Sequence, residues 1–255
     1  MSSPVRYAVD GGVARLTLDS PHNRNALSTM LVAQLHRGFD AAAADPGVRS
    51  VVLGHTGGTF CAGADLAEAT ASDPSEAAVG RARELTTLLR AILELPKPVI
   101  AAVDGHVRAG GLGLIGACDI VVAGPASTFA LTEARIGVAP SIISLTLLPR
   151  MTARAAGRYF LTGETFGAQH AAEIGLVTVA ADDVAPTVTA LTTEIAKASP
   201  QGLAASKALT TAAALEGFDR HAEALTEQSA RLFVSAEARE GMLAFLAKRS
   251  PSWRS

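Results

Sequence analysis

This chain of 255 residues is poor in cysteine, in aromatic side chains and in charge. It contains two cysteines, 4% aromatic residues and 18% charged residues. Two cysteines cannot build a disulfide framework, which favours a reducing compartment and predicts a cytoplasmic location. With Lys+Arg at 22 and Asp+Glu at 24, the net charge of −2 lacks the basic excess that is typical of nucleic-acid-binding proteins. No uninterrupted apolar run reaches the length of about 18 residues that a membrane span needs, so neither kind of partner is expected.

Apolar residues, in contrast, are abundant. They make up 49% of the chain, and the mean hydropathy is +0.28. A disordered chain combines low hydrophobicity with high net charge, so this composition indicates a folded protein with a large core. The small number of charges for a chain of this length indicates that part of its surface faces other subunits.

The hydrophobic periodicity predicts alternating strands and helices before Asp183 and helices only from there onward. Alternation on both sides of the Gly11-Gly12 pair predicts a β-hairpin over residues 5–18. Ser28 is suited to cap the first long helix, and residues 55–63 are predicted to form a loop. The other predicted elements are a helix that ends near Leu95, a helix over 110–118, and strands over 48–54, 99–103 and 120–123. The fold class is α/β, with a core predicted over residues 1–197 and a helical region over 198–255.

Two segments rich in small residues follow predicted strands, at 59–66 (TFCAGADL) and 104–111 (DGHVRAGG). Small residues let a ligand approach main-chain N–H groups closely. The second segment also opens a helix, where free N–H groups and the helix dipole favour developing negative charge. The two segments are therefore candidates for an oxyanion hole, and the alternative is a pair of turns that need glycine.

A glycine pattern at 111–116 (GLGLIG) matches the dinucleotide-binding motif GxGxxG. That motif requires a strand that runs directly into its first glycine, and here residues 104–110 intervene. The chain also lacks a phosphate-binding loop motif, a nucleophile elbow and a cluster with metal-ligand spacing. No metal and no other cofactor is therefore expected.

The order and spacing of several segments together resemble the crotonase, or enoyl-CoA hydratase/isomerase, superfamily. These segments are 21–27 (PHNRNAL), 60–66 (FCAGADL), 97–105 (KPVIAAVDG), 117–120 (ACDI), 129–133 (FALTE), 161–163 (LTG), 171–177 (AAEIGLV) and 240–246 (EGMLAFL). The stretches 110–114 and 131–144 are most similar to a bacterial branch that resembles methylglutaconyl-CoA hydratases.

The resemblance implies a spiral of ββα units with a C-terminal helical trimerisation region, in homotrimers that often pair into hexamers. It implies an acyl-CoA thioester as substrate, with coenzyme A as part of the substrate and no separate cofactor. The N–H groups of Ala64 and Gly110 are the implied oxyanion donors. The residues implied to bind the substrate and its CoA portion are Arg24, Ala26, Leu27, Ala62, Asp65, Leu66, Gly111, Phe245 and Lys248.

Hydratases of the superfamily usually carry two glutamates, and this chain keeps one of them. Glu133 matches the second, whereas Gly113 stands where the first is expected. Arg108, Arg135 and Ser141, together with Gly113, are candidates for the acyl pocket, and the arginines could pair with a substrate carboxylate. The alternatives are structural ion pairs for the arginines and helix capping for Ser141.

One carboxylate leaves two reactions open. The leading hypothesis is an enoyl-CoA hydratase for a 2-enoyl-CoA, including branched or glutaconyl-type acyl groups, with Glu133 as the acid/base. The first alternative is a Δ3,Δ2-enoyl-CoA isomerase, because moving a proton from C4 to C2 needs a single base. The second alternative is an acyl-CoA-binding paralogue without catalytic activity.

Overall fold

A computed structural model describes residues 3–71 and 74–253 of the chain. Its strands are β1 Val5–Asp10, β2 Val13–Leu18, β3 Ser50–His55, β4 Thr59–Cys61, β5 Val99–Val103, β6 His106–Arg108, β7 Ile120–Ala123, β8 Thr128–Ala130, β9 Phe166–Gly167 and β10 Val179–Ala180. Its helices are α1 Thr29–Ala44, α2 Leu66–Ala71, α3 Pro74–Glu94, α4 Gly110–Ala117, α5 Ser141–Leu147, α6 Ala153–Thr162, α7 Ala168–Glu173, α8 Val184–Ala196, α9 Pro200–Phe233 and α10 Ala236–Leu246. Short 3-10 turns cover Pro21–Asn23 and Glu133–Ile136, and the latter is called the Glu133 turn below.

The strands form two sheets, and the chain alternates between them. The larger sheet has the order β1-β2-β3-β5-β7-β10, and the smaller has the order β4-β6-β8-β9. β3, β5 and β7 each lead into a strand of the smaller sheet, and helices follow β4 and β6 before the chain returns to the larger sheet. This repetition builds the spiral of ββα units that the resemblance implies.

Both faces of the central strands β3, β5 and β7 of the larger sheet are buried, as is usual for parallel strands covered by helices. Successive residues of β3 show this, because Val51 and Leu53 lie in the main core whereas Val52 faces the other way. On that opposite face Val52 packs with Ile100 and with Val188 of α8. The core thus fixes the carboxyl ends of the strands, which carry the loops of the candidate site.

Several local predictions are confirmed. β1 and β2 form the antiparallel hairpin, with Val5 opposite Leu18. The Ser28 hydroxyl accepts a hydrogen bond from the Leu31 N–H at 3.2 Å and caps α1. The loop predicted over 55–63 is wrong in part, because residues 59–61 pair with β6 as β4. A strand of three residues shows no periodicity that could separate it from a loop.

Among the described residues, only helices follow β10, as the pattern predicts. α9 is 34 residues long, and its buried Lys207 forms an ion pair with Asp119 at 2.8 Å while donating to the carbonyl oxygen of Ile92. This contact ties α9 to the first residues of β5, because the Asp119 carboxylate also accepts from the Val99 N–H. The division of the chain at residue 197 stays a prediction. No helix within 3–71 and 74–253 combines the length and apolarity that crossing a membrane requires.

Candidate active site

The two small-residue segments meet in space. Gly63 has a φ of 89°, and a Cβ atom at this position would lie 2.7 Å from the Ala109 Cβ and 3.3 Å from the Gly110 nitrogen. A side chain at residue 63 would therefore push the second segment away. The close approach of Gly63 to Gly110 brings the loop after β4 against the first turn of α4.

The main-chain N–H groups of Ala64 and Gly110 are available as donors. Gly110 is the first residue of α4, where an α-helix leaves its N–H without an internal partner. Within the described ranges neither N–H donates a hydrogen bond to another group of the chain. Two unpaired donors thus lie on adjoining segments, and an oxygen between them could bind both, although the oxyanion hole itself stays a prediction.

The segment 24–27 fixes the first loop from the other side. The Leu27 N–H donates to the Gly63 oxygen at 2.8 Å, and the Ala62 N–H donates to the Arg24 oxygen at 3.1 Å. Leu27 also forms a parallel bridge with Ala64. A Cβ at Gly110 would lie 2.8 Å from the Leu27 Cδ1, so the side chain of Leu27 covers the start of α4.

Asn25 holds this segment in place, and the sequence reasoning missed it. It is fully buried with a φ of 54°. Its Oδ1 accepts from the Ser20 N–H at 2.7 Å, and its Nδ2 donates to the carbonyl oxygens of Thr56 and Thr59 at 3.1 and 2.8 Å. Asparagine tolerates a positive φ and offers both donors and acceptors, so it can satisfy a sharp buried bend. The residue lies within the segment 21–27 that carries the resemblance, but nothing in that pattern shows which side chain ties the loops.

The Asp65 carboxylate forms hydrogen bonds that hold two neighbouring segments together. Its Oδ1 accepts from the N–H of Ala67 at 3.0 Å and its Oδ2 accepts from Asn23 Nδ2 at 3.0 Å. The carboxylate therefore caps the start of α2 and links it to the Pro21–Asn23 turn. Its predicted contact with substrate stays a prediction. The exposed Arg24 and the partly buried Ala62 and Leu66 surround this point.

Glu133 reaches the site through the smaller sheet. β8 pairs with β6 so that Arg108 lies opposite Ala130, and the Ala109 N–H donates to the Ala130 oxygen at 3.2 Å. Three residues later the chain enters the Glu133 turn. The sheet thus brings Glu133 next to the start of α4, although the two positions are 23 residues apart in sequence.

The carboxyl group of Glu133 is largely buried. The residue is 7% exposed, and among the described groups its Oε2 has no hydrogen-bond partner. Burial raises the pKa of Glu133 to about 7, opposed by a hydrogen bond from its own main chain. A carboxyl group with this pKa can give and take a proton near neutral pH, which is what general acid/base catalysis requires.

Gly113 is closely covered by Ile143. A Cβ at Gly113 would lie 2.4 Å from the Ile143 Cγ2 and 3.3 Å from the Leu89 Cδ1. The place where the superfamily usually has a first glutamate is therefore filled by an apolar side chain from α5. No carboxylate can be added at residue 113 unless Ile143 moves. The presence of a single carboxylate in the site therefore depends on both Gly113 and Ile143.

Ser141 begins α5 and is 5% exposed, with an Oγ that has no hydrogen-bond partner in the described part of the chain. It does not cap the helix, because no side-chain capping bond is formed at this terminus. The capping alternative is therefore wrong for Ser141. An unpaired buried hydroxyl is costly, and the predicted place of Ser141 in the acyl pocket stays a prediction.

The geometry does not support the pairing of Arg108 and Arg135 with a substrate carboxylate. The Arg108 guanidinium donates to the carbonyl oxygens of Val107 and Thr128 at 2.9 and 2.7 Å. The Arg135 Nε donates to the Thr162 oxygen at 2.9 Å. Both guanidinium groups stabilise main-chain carbonyls instead, and neither forms an ion pair within residues 3–71 and 74–253.

Gly111 and Ala26 have packing tasks. A Cβ at Gly111 would lie 2.8 Å from both the Cys61 Cβ and its carbonyl oxygen, so glycine is required where α4 touches β4. Ala26 is buried between its neighbours.

Phe245 is 52% exposed at the end of α10, and Lys248 follows with a φ of 52°. α10 contacts the Glu133 turn of the same chain, Lys248 lies beyond the end of α10, and the predicted contact of both residues with the substrate stays a prediction.

Comparisons with known proteins agree with this geometry. Residues 8–255 match the family model described as enoyl-CoA hydratase/isomerase. An enoyl-CoA hydratase from Mycobacterium avium is 67% identical in sequence and has a TM-score of 0.92, with 99% of this chain and 100% of that chain covered. The chain therefore belongs to the enoyl-CoA hydratase/isomerase family, within the crotonase superfamily, and has the crotonase fold.

Relatives with other activities are also similar over nearly the whole chain. The 1,2-epoxyphenylacetyl-CoA isomerase of Escherichia coli K12 is 32% identical, with 96% of both chains covered. The carnitinyl-CoA dehydratase of Proteus mirabilis is 31% identical, with 100% of this chain and 99% of that protein covered. The family thus supports an enzyme of the hydratase/isomerase type with an acyl-CoA substrate, and it includes more than one reaction.

Proposed function

We propose that this protein is an enoyl-CoA hydratase that adds water across the double bond of a 2-enoyl-CoA thioester. The observation that carries the proposal is the combination of two free amides with one buried carboxyl group of raised pKa. The N–H groups of Ala64 and Gly110 bind the thioester oxygen, where negative charge develops as the enolate forms. Losing one such donor typically costs about 3–4 kcal/mol of the barrier.

Glu133 carries the proton transfers. As a carboxylate it takes a proton from water, and the hydroxide bonds to C3 while the C2–C3 π electrons move into the enolate. The protonated carboxyl then returns a proton to C2, which restores the thioester carbonyl and the carboxylate. The free enzyme must start with ionised Glu133, so kcat/KM is expected to rise with pH up to about 7 and then level off.

The CoA portion is proposed to lie along Arg24, Ala26, Leu27, Ala62 and Leu66, with Gly111 beneath it and Phe245 and Lys248 above. Arg24 is exposed and can reach a phosphate, whereas the net charge of −2 offers no general attraction for an anion. A few local cations and main-chain dipoles therefore bind the ligand.

The second candidate is a Δ3,Δ2-enoyl-CoA isomerase, and one observation favours it. Ile143 fills the space at Gly113, which leaves Glu133 as the acid/base, and proton transfer from C4 to C2 needs no more than one carboxylate. The two reactions share the enolate and the same two donors. They differ in whether the intermediate begins with water addition or with loss of a proton from C4.

Separate assays with 2-enoyl-CoA and 3-enoyl-CoA thioesters decide between the candidates. The proposal predicts 3-hydroxyacyl-CoA from the 2-enoyl substrates, measured by loss of the conjugated thioester absorbance and by mass spectrometry. Straight and branched acyl groups are included to find the preferred chain. Double-bond migration without water addition would select the isomerase, and tight binding without turnover of any substrate would indicate an inactive binding protein.

A cytoplasmic homotrimer or hexamer is proposed as the working assembly. Large apolar side chains are exposed on the outer surface, among them Leu148, Leu161 and Leu209. Exposed apolar side chains mark surfaces that other subunits cover where they join into a contiguous patch. Light scattering on the purified protein measures the mass of the assembly, and a monomer of 26.0 kDa would contradict the proposal.

A further inference from the structure

The Glu133 turn and α10 touch through their main chains. A Cβ at Gly241 of α10 would lie 2.4, 2.5 and 2.6 Å from the O, C and Cα atoms of Ile136. On the other side of the contact, a Cβ at Gly137 would lie 2.7 Å from the Glu237 carbonyl carbon and 2.8 Å from the Ala238 nitrogen. One glycine on each element therefore allows two backbones to meet with no side chain between them.

A small apolar cluster, separate from the main core, surrounds this contact. Its buried members are Val138, Ala238 and Met242, and the partly buried side chains around them are Leu66, Ile136, Leu232 and Phe233. The cluster joins the end of the Glu133 turn to α10 and to the first residue of α2. The turn itself closes with Gly137 at a φ of 78°, and the Val138 N–H donates to the Glu133 oxygen at 3.1 Å.

The last residues also fix α10. The Ser235 hydroxyl caps its start by accepting from the Ala238 N–H at 3.1 Å. Beyond its end, Arg249 forms two hydrogen bonds with the Glu240 carboxylate at 2.7 and 2.8 Å. A helix capped at one end and tied at the other presents Gly241 to the turn as a rigid surface.

We propose that α10 is the element that positions the acid/base group, with Gly137 and Gly241 as positioning residues that act through the main chain of the Glu133 turn. The proposal rests on the role proposed above for Glu133. The turn follows directly from Glu133, so a displacement of Ile136 by α10 alters both the direction of the carboxyl group and its shielding from water.

Burial has a larger effect on the pKa of Glu133 than the charged groups nearby. Besides Glu133 itself, the titratable side chains on the turn, α6 and α10 are Arg135, Arg154, Arg158, Tyr159, Glu237, Arg239 and Glu240. Desolvation is the largest cause of the raised pKa of Glu133, and among the described residues its own main-chain hydrogen bond is the only other one. Movement of the turn away from α10 therefore lowers the pKa of Glu133, because water reaches the carboxylate.

The test is Gly241→Ala, with Gly217→Ala as the matched control. Both glycines lie in helices, but a Cβ at Gly217 of α9 would meet no atom within 4 Å. Gly241→Ala is expected to lower kcat at least tenfold with KM changed less than about threefold, and to move the acidic limb of the pH profile to lower pH. Infrared difference titration of the carboxyl group, referenced to Glu133→Gln, reads the pKa without turnover.

Met242→Ala gives a second route if Gly241→Ala does not fold, because it loosens the same contact without adding an atom. Circular dichroism establishes that each variant is folded. The proposal is overturned if folded Gly241→Ala or Met242→Ala shows the same kcat and the same Glu133 titration as Gly217→Ala. Full turnover by Glu133→Gln would instead refute the proposed function, while the infrared titration would still decide whether α10 controls this carboxyl.

Discussion

The two halves of the active site are built differently. The donor half consists of main-chain amides on loops that adjoin the main core, held by Asn25 and by hydrogen bonds between residues 24–27 and 62–64. The carboxyl half is a short turn supported by a separate cluster, and Ser141 of α5 belongs to the same half. In the donor half the side chain that holds the open amides in place is fully hydrogen-bonded, whereas in the carboxyl half Glu133 Oε2 and Ser141 Oγ have no hydrogen-bond partner among the described residues.

This difference reflects the different requirements of the amide donors and of the acid/base group. Amides at the ends of strands need no change of charge, so rigid packing is enough to orient them. A general acid/base needs a pKa near the working pH, and burial without a counter-ion supplies it at a cost in stability. The comparison predicts that damage to the donor half reduces activity, whereas neutralising the carboxyl half reduces activity but increases stability.

Within the donor half, the largest effect is expected from Gly63→Ala. The new Cβ would lie 2.7 Å from the Ala109 Cβ, so the two amides must separate. Removal of one oxyanion donor lowers kcat by about 10²–10³, and a loss of this order is expected in steady-state assays. Gly58→Ala, just before β4, is the control, since a Cβ there meets no atom within 4 Å. Equal kcat values for the two variants would contradict the placement of the donors.

A smaller effect, on stability, is expected from Glu133→Gln. The pKa of Glu133 is raised in the folded state from 4.5 to about 7, so the folded protein loses stability as pH rises through this range. Glutamine avoids that loss. The variant should exceed the parent by about 3 kcal/mol in urea unfolding at pH 8.5, and the difference should vanish near pH 4.

The control for this comparison is Glu227→Gln, which changes an exposed glutamate on α9. Its unfolding free energy should stay within about 0.5 kcal/mol of the parent at both pH values. If Glu133→Gln is no more stable than Glu227→Gln at pH 8.5, burial of the ionised Glu133 carboxylate does not lower the free energy of unfolding.

The smallest effect, also on stability, is expected from changes at the contact between Gly113 and Ile143. Gly113→Ala places a Cβ 2.4 Å from the Ile143 Cγ2, and such overpacking typically costs 1–3 kcal/mol. Ile143→Ala removes the obstructing atom, so the double variant should be more stable than the sum of the two single losses predicts. A double-mutant cycle by urea unfolding measures this coupling, and additive losses would contradict the contact.

Much of the larger sheet could be predicted from the sequence. The hairpin, α1, β5 and β7 have clear periodicity and clear end signals, such as Ser28 at the start of α1. The smaller sheet could not, because β4, β6 and β8 have three residues each and depend on pairing with strands distant in the sequence. Strands this short are defined by their partners and not by their own residues.

The candidate site also contains residues that the sequence indicates and residues that it does not. Ala64, Gly110 and Glu133 are site residues that the resemblance to the superfamily implies, and their roles stay predictions. Asn25 and Ile143 could not be found, because a sequence does not show which carbonyl an amide meets or which glycine an isoleucine covers. The same reason applies to Arg108 and Arg135, because a sequence does not show the main-chain oxygens to which their guanidinium groups donate.

The most direct test of the account is the kcat of Glu133→Gln at pH 7 with the 2-enoyl-CoA thioester that the parent enzyme turns over fastest. Glutamine keeps the size of the side chain and removes its ability to exchange a proton. The account predicts a loss of about 10²–10⁴ in kcat, the range in which general acid/base catalysis contributes. A kcat within threefold of the parent would contradict the claim that one buried carboxyl group carries the proton transfers of this site.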